Sequence, residues 1–205
     1  MSPSSTSSTG DNAAPANSTD STLRRRVPAR DLAQIAVFAA LIAALGVPGT
    51  LYIGGNAVPI TLQTLGVTLA GAILGPWKGL AAVAVFDALT FVGLPLLGGF
   101  LLGALVVGLL TRLILPKYPL WLGIVATFVG GMVAIYAVGV PWAAIVTHTP
   151  LWASFTANFL YFPGDAIKVV ATAVIAKQVH RAYPGLIPLQ RRSTATAEAP
   201  TAAER

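Results

Sequence analysis

The chain has 205 residues, of which 55% are hydrophobic and 10% charged, with thirteen Lys+Arg against seven Asp+Glu and a net charge of +6. Soluble domains carry roughly 25% charged residues, so this composition excludes a soluble enzyme, a disordered regulator and a disulfide scaffold, and calls for lipid as solvent. Cysteine is absent and the two histidines, His148 and His180, lie far apart, which leaves no thiolate or His-rich metal site and no expected cofactor.

Met1–Thr22 is rich in Ser, Thr, Pro, Asn and Ala. It holds too little apolar surface to offset its ordering entropy and is expected to be a disordered tail. A basic run, Leu23-Arg24-Arg25-Arg26 with Arg30, leads into the first apolar stretch. The expected organisation is a tail over 1–30, a membrane domain over 31–181 and a second tail over 182–205.

Six apolar stretches follow in order: Leu32–Val47, Leu62–Gly75, Trp77–Leu97, Phe100–Leu115, Leu120–Val140 and Tyr161–Ala176. Strand alternation is missing, and backbone amides in hydrocarbon must be paired within the segment, so the stretches are expected to be helices. Several fall short of the roughly 20 residues a straight span needs. Leu151–Leu160 is expected to be a short helix on the outer interface.

Charge sets the expected orientation. From Leu32 to His180 there are five basic residues, Lys78, Arg112, Lys117, Lys168 and Lys177, and two acids, Asp87 and Asp165. Arg24–Arg30, Lys78, Arg112 with Lys117, and Lys177 onward fall before, between or after alternate helices. The three other connections hold no Lys or Arg. Basic loops face the cytoplasm, so both termini are expected there. Trp77, Tyr118, Trp121, Tyr52, Trp142, Trp152 and Tyr161 sit at expected helix ends and read as interfacial belts.

Asp165 and Lys168 carry the strongest chemical signal. Three residues apart, they share a helix face, just after Phe162-Pro163-Gly164 breaks the chain. Ionisable groups at membrane depth usually line a ligand or ion path; the plainer alternative is a helix-capping Asp with a Lys reaching the surface. Val58-Pro59-Ile60-Thr61-Leu62-Gln63-Thr64 enters the second helix with Thr61, Gln63 and Thr64 as uncharged hydrogen-bonding groups, though Thr61 could simply cap that helix. Asp87 stands about ten residues into the third helix with no evident partner; pairing with Lys168 and exposure to a watery cavity are both open. Ala36, Ala40 and Ala44 form a small-residue ridge suited to close helix contact, within the chain or with a partner. Ser154, His148 and Asp165 could be assembled into a hydrolase triad, but no nucleophile elbow surrounds Ser154.

Pro59 through Pro76, Gly93-Leu94-Pro95 and Phe162-Pro163-Gly164-Asp165-Ala166-Ile167-Lys168 resemble the BioY family, the substrate-binding subunits of energy-coupling-factor biotin transporters. The resemblance covers roughly Asp31 to Arg181. It implies an all-α, six-helix membrane bundle that is not an enzyme and captures biotin from outside. It implies a ligand site at Thr61, Gln63, Asp165 and Lys168, and a docking ridge at Ala36, Ala40 and Ala44 for the transmembrane coupling protein. It implies two ATPases as further partners, which fits the missing P-loop here, and no nucleic acid. The family also carries a long glycine-rich loop between helices 3 and 4, ending in a GPTGG-like motif, that lids the site. Here Leu94-Pro95-Leu96-Leu97 runs straight into Gly98-Gly99. That departure supports an alternative, a scaffold or regulatory subunit of the same fold with impaired binding.

Overall fold

In the computed structural model the described residues are 28–47, 61–90 and 96–187, without the side chains of 96 and 97. Residues 1–27 and 188–205 of the expected tails, the basic run at Arg24–Arg26, and the loop residues Tyr52, Asn56, Val58–Ile60 and Gly93–Pro95 lie outside them, whereas Arg30 of the first tail already belongs to the first helix. Helices are the only regular secondary structure among the described residues, with no strand. In chain order they form α1 (Ala29–Ala44), α2 (Gln63–Leu74), α3 (Pro76–Thr90), α4 (Leu96–Ile114), α5 (Leu120–Phe128), α6 (Ile135–Thr147), α7 (Leu151–Asn158) and α8 (Phe162–Ala182). A π-helical turn, Val129–Ala134, joins α5 to α6, and a 3-10 turn, Phe159–Tyr161, joins α7 to α8. The eight segments therefore make six rods. The last two are continuous apolar helices, Leu120–Thr147 and Leu151–Ala182. At 28 and 32 residues they are about 42 and 48 Å long, enough to cross a hydrocarbon core of about 30 Å.

The expected interfacial helix at Leu151–Leu160 is present as α7, but it runs on through the 3-10 turn into α8. Pro163 does not separate the two, because it falls in the first turn of α8, where a missing N–H breaks no helical bond.

The shortness of the second apolar stretch has a tertiary explanation. Gly66 through Leu74 are all buried, and α2 is enclosed by α1, α3, α4, the π turn and α8. A helix surrounded by protein has no need to match the lipid thickness. Its enclosure depends on glycine. A Cβ on Gly71 would strike the Ala104 carbonyl, one on Gly79 would lie 2.9 Å from the Ala70 carbonyl, and one on Gly108 would lie 2.5 Å from the Pro76 nitrogen. Gly75 turns α2 into α3 at φ +82°, a conformation side chains rarely adopt.

Opposite ends of the bundle differ in charge. At one end, Lys78 Nζ of α3 bonds Asp31 Oδ1 of α1 at 2.6 Å, with Arg112 and Lys117 in the same layer of connections. The other end holds Thr61, Asp165 and Lys168.

Candidate ligand site

The site is built where the start of α2 meets the start of α8. These rods are parallel neighbours: Ala72 lies level with His180, whose Nε2 is 2.7 Å from the Ala72 carbonyl oxygen, and Thr68 lies level with Thr172. The Thr68 and Thr172 hydroxyls are 2.8 Å apart and fully enclosed. One turn further, the same register sets Lys168 against Thr64 and Thr61.

Lys168 has three ammonium hydrogens and three acceptors. Its Nζ donates to Asp165 Oδ1 at 2.8 Å, the Thr61 carbonyl at 2.7 Å and Thr64 Oγ1 at 3.1 Å. Asp165 accepts from Lys168 on one oxygen and from the Tyr136 hydroxyl, at 2.5 Å, on the other. The Asp165 and Lys168 side chains are 9% and 12% exposed, so the two opposite charges are enclosed together with their own bonds. A buried charge without its partner would cost several kcal/mol.

Of the four sequence-predicted residues, the structure brings three together: Thr61 through its carbonyl, Asp165 and Lys168. Gln63 is elsewhere. Its amide oxygen accepts from Thr61 Oγ1 at 3.2 Å, and its side chain packs beside Gly46 at the end of α1. Two further participants complete the cluster, Thr64, already singled out in the polar run, and Tyr136, which the sequence did not mark. Thr64 lies one turn from Thr61 in the same polar run. Tyr136 sits in an unbroken apolar helix, and only the approach of α6 to Asp165 reveals it. The hydroxyl of Ser154 is 2.9 Å from Thr149 Oγ1, and Asp165 is engaged with Lys168 and Tyr136, so the triad expected to be accidental is not assembled. Asp87 faces the interior at 8% exposure, with neither carboxylate oxygen bonded, and Lys168 does not reach it. Ala36, Ala40 and Ala44 all lie on an exposed face of α1, beside Val37 at 64% exposure.

The cluster offers a cation and a carboxylate within one hydrogen-bond length, each tied to groups a ligand could replace. An oxygen acceptor can take the place of Thr61 or Thr64 at Lys168, and an N–H donor can take the place of Tyr136 at Asp165. A small planar group presenting a carbonyl beside N–H donors satisfies both at once.

Fold and cluster together define an all-helical protein of six rods, two of them long and apolar enough to cross a membrane, with an enclosed ion pair near one end. The BioY family model matches residues 16–100 and 96–185. The Biotin transporter BioY of Rhodobacter capsulatus is 37% identical over 186 residues, covering 77% of this chain and 97% of that protein. The Probable biotin transporter BioY of Bacillus subtilis is 36% identical over 169 residues, covering 74% of this chain and 91% of that protein. The crystal structure of the S-component for biotin from an ECF-type ABC transporter superposes with a TM-score of 0.69 at 26% identity, over 74% of this chain and 91% of that one. This chain belongs to the BioY family. The Rhodobacter capsulatus alignment takes in 77% of 205 residues, about 158, across 186 positions, so about 28 positions face no residue here. The two family-model segments meet at 96–100, the start of α4, where the chain runs from Leu97 into Gly98-Gly99.

Proposed function

We propose that this chain is the biotin-binding membrane subunit of an energy-coupling-factor importer. One observation carries the reading: in a BioY-family chain, the Asp165–Lys168 pair is closed over by replaceable hydrogen bonds from Thr61, Thr64 and Tyr136. The ureido group of biotin is a planar carbonyl flanked by two N–H donors, the pattern that the pair requires. Gln63, at the mouth beside Gly46, is a ligand contact in this reading once the ligand parts it from Thr61. Capture needs no bond chemistry, so the protein is not an enzyme. Its energy comes from a coupling protein and two ATPases, and the exposed ridge Ala36, Ala40, Ala44 is the face that docks to the coupling protein. The relatives above are named as biotin transporters, which gives the scaffold alternative no support.

Calorimetry of biotin on the purified full chain tests the site. Lys168→Ala and Asp165→Asn are each expected to weaken binding by about 1–3 kcal/mol, roughly 5- to 150-fold; unchanged affinity in both returns the pair to a structural role. Ala36→Leu or Ala40→Leu should block co-purification with the coupling protein while leaving the chain folded, because bulk separates helices that meet on small residues. The site end faces outward and both termini face the cytoplasm in this reading. Cysteines at Lys78 and His148 report it: an impermeant thiol reagent added outside should label position 148 and spare position 78.

A further inference from the structure

The last two rods do not stay together along their length. At the basic end α5 packs along α8, but toward the site end α6 packs on α4 and α7 and makes at most marginal contact with α8. The hydroxyl of Tyr136 bridges the resulting wedge to Asp165. Outside that bridge lies a lateral groove of about 790 Å³ between α6 and the α7–α8 rod. Met132, Tyr136, Ala137 and Pro141 form one wall, and Trp152 and Phe155 form much of the other.

We propose that this groove holds one acyl chain of a membrane phospholipid, in the leaflet at the site end. Three observations favour that occupant. The walls are almost wholly apolar, so a polar solute would leave its own donors and acceptors unpaired there, whereas an alkyl chain has none to lose. The wall from the end of α5 through the π turn into α6 extends from Phe128 to Pro141, about 20 Å at helical rise, enough to take a chain through one leaflet of about 15 Å. The site-end rim is aromatic: Trp152 and Phe155 stack with ring centroids 5.7 Å apart and are 73% and 50% exposed. Tryptophan concentrates at the membrane–water interface, which places that rim where an acyl chain joins its headgroup. The chain would pack on the ring of Tyr136, whose hydroxyl reaches Asp165, so lipid in the groove supports the wall of the ion-pair site from outside.

Retention of lipid is the test. A full-length protein keeping only Trp152 (Trp77→Phe, Trp121→Phe, Trp142→Phe) is reconstituted in phosphatidylcholine carrying brominated acyl chains, then moved into unbrominated detergent. Trp152 should stay quenched, and native mass spectrometry should find one phospholipid per chain. Adding Ala137→Phe fills the groove at an exposed position and should abolish both signals, with folding verified by an unchanged unfolding midpoint. A second protein keeping only Trp77, an exposed residue outside the groove, should recover its fluorescence on transfer. The proposal is overturned if Trp152 recovers as fast as Trp77, or if Ala137→Phe folds and still retains the lipid. It is also overturned if biotin displaces the lipid in proportion to its own binding, which would make the groove part of the vitamin site.

Discussion

Asp165 and Asp87 are equally buried, at 7% and 8% exposure, and both belong to apolar helices, yet their surroundings have nothing in common. Asp165 receives Lys168 on one oxygen and Tyr136 on the other, and Lys168 in turn is saturated by Thr61 and Thr64. Among the described residues, Asp87 has no donor on either oxygen. Its interior face on α3 is otherwise Gly79, Ala82, Val83 and Phe86, none with a side-chain donor, and nearby Thr90 turns its hydroxyl back to the carbonyls of Phe86 and Asp87. Burial of an acid therefore does not mark a site in this bundle. What distinguishes the site is that α2, α6 and α8 each deliver a complementary group to one point.

The largest expected effect breaks the complementary side of this contrast. Lys168→Met leaves the Asp165 carboxylate buried with Tyr136 alone, and removing one member of a buried pair costs about 3–5 kcal/mol. Reversible unfolding in mixed micelles should show that loss without any ligand present, and a change under about 1 kcal/mol would mean that water replaces the ammonium. Tyr136→Phe removes one hydrogen bond to a charged group, so about 1.5–3 kcal/mol of stability should go, by the same assay. The change sharpens the comparison by making Asp165 more like Asp87.

Acting from the other side, Asp87→Val should stabilise the chain by about 1–3 kcal/mol, the cost of an unsatisfied buried polar group, and leave biotin affinity where it was. A fall in affinity instead would make Asp87 a second ligand-facing acid. The smallest effect belongs to Thr68 and Thr172, one turn below the site. Thr68→Val alone should cost about 0.5–1.5 kcal/mol, and adding Thr172→Val should recover much of it, because replacing both partners leaves no orphaned hydroxyl. The double-mutant cycle measures that coupling directly.

How much of this was legible in advance follows from the range of each interaction. Lipid as solvent, six helical rods and the absence of strands could be read from composition and apolar run length, because satisfying backbone amides in hydrocarbon is a local requirement. The pairing of Asp165 with Lys168 was legible for the same reason: both lie on one face of one helix, and their spacing alone brings them together. The family motif drew attention to Thr61, but it enters through its carbonyl, which no side-chain pattern encodes. Tyr136 was invisible because nothing around it in the sequence is polar; its role exists only because α6 approaches the start of α8. Gln63 was legible as a polar group, yet packing turned it toward Gly46, away from Lys168. The solitude of Asp87 was likewise beyond the sequence, since it depends on what three neighbouring helices fail to provide. Sequence determined which segments enter the membrane and which charges they take with them, since those are decided residue by residue against lipid. Tertiary structure decided which of those charges are answered, because each answering group comes from a helix distant along the chain.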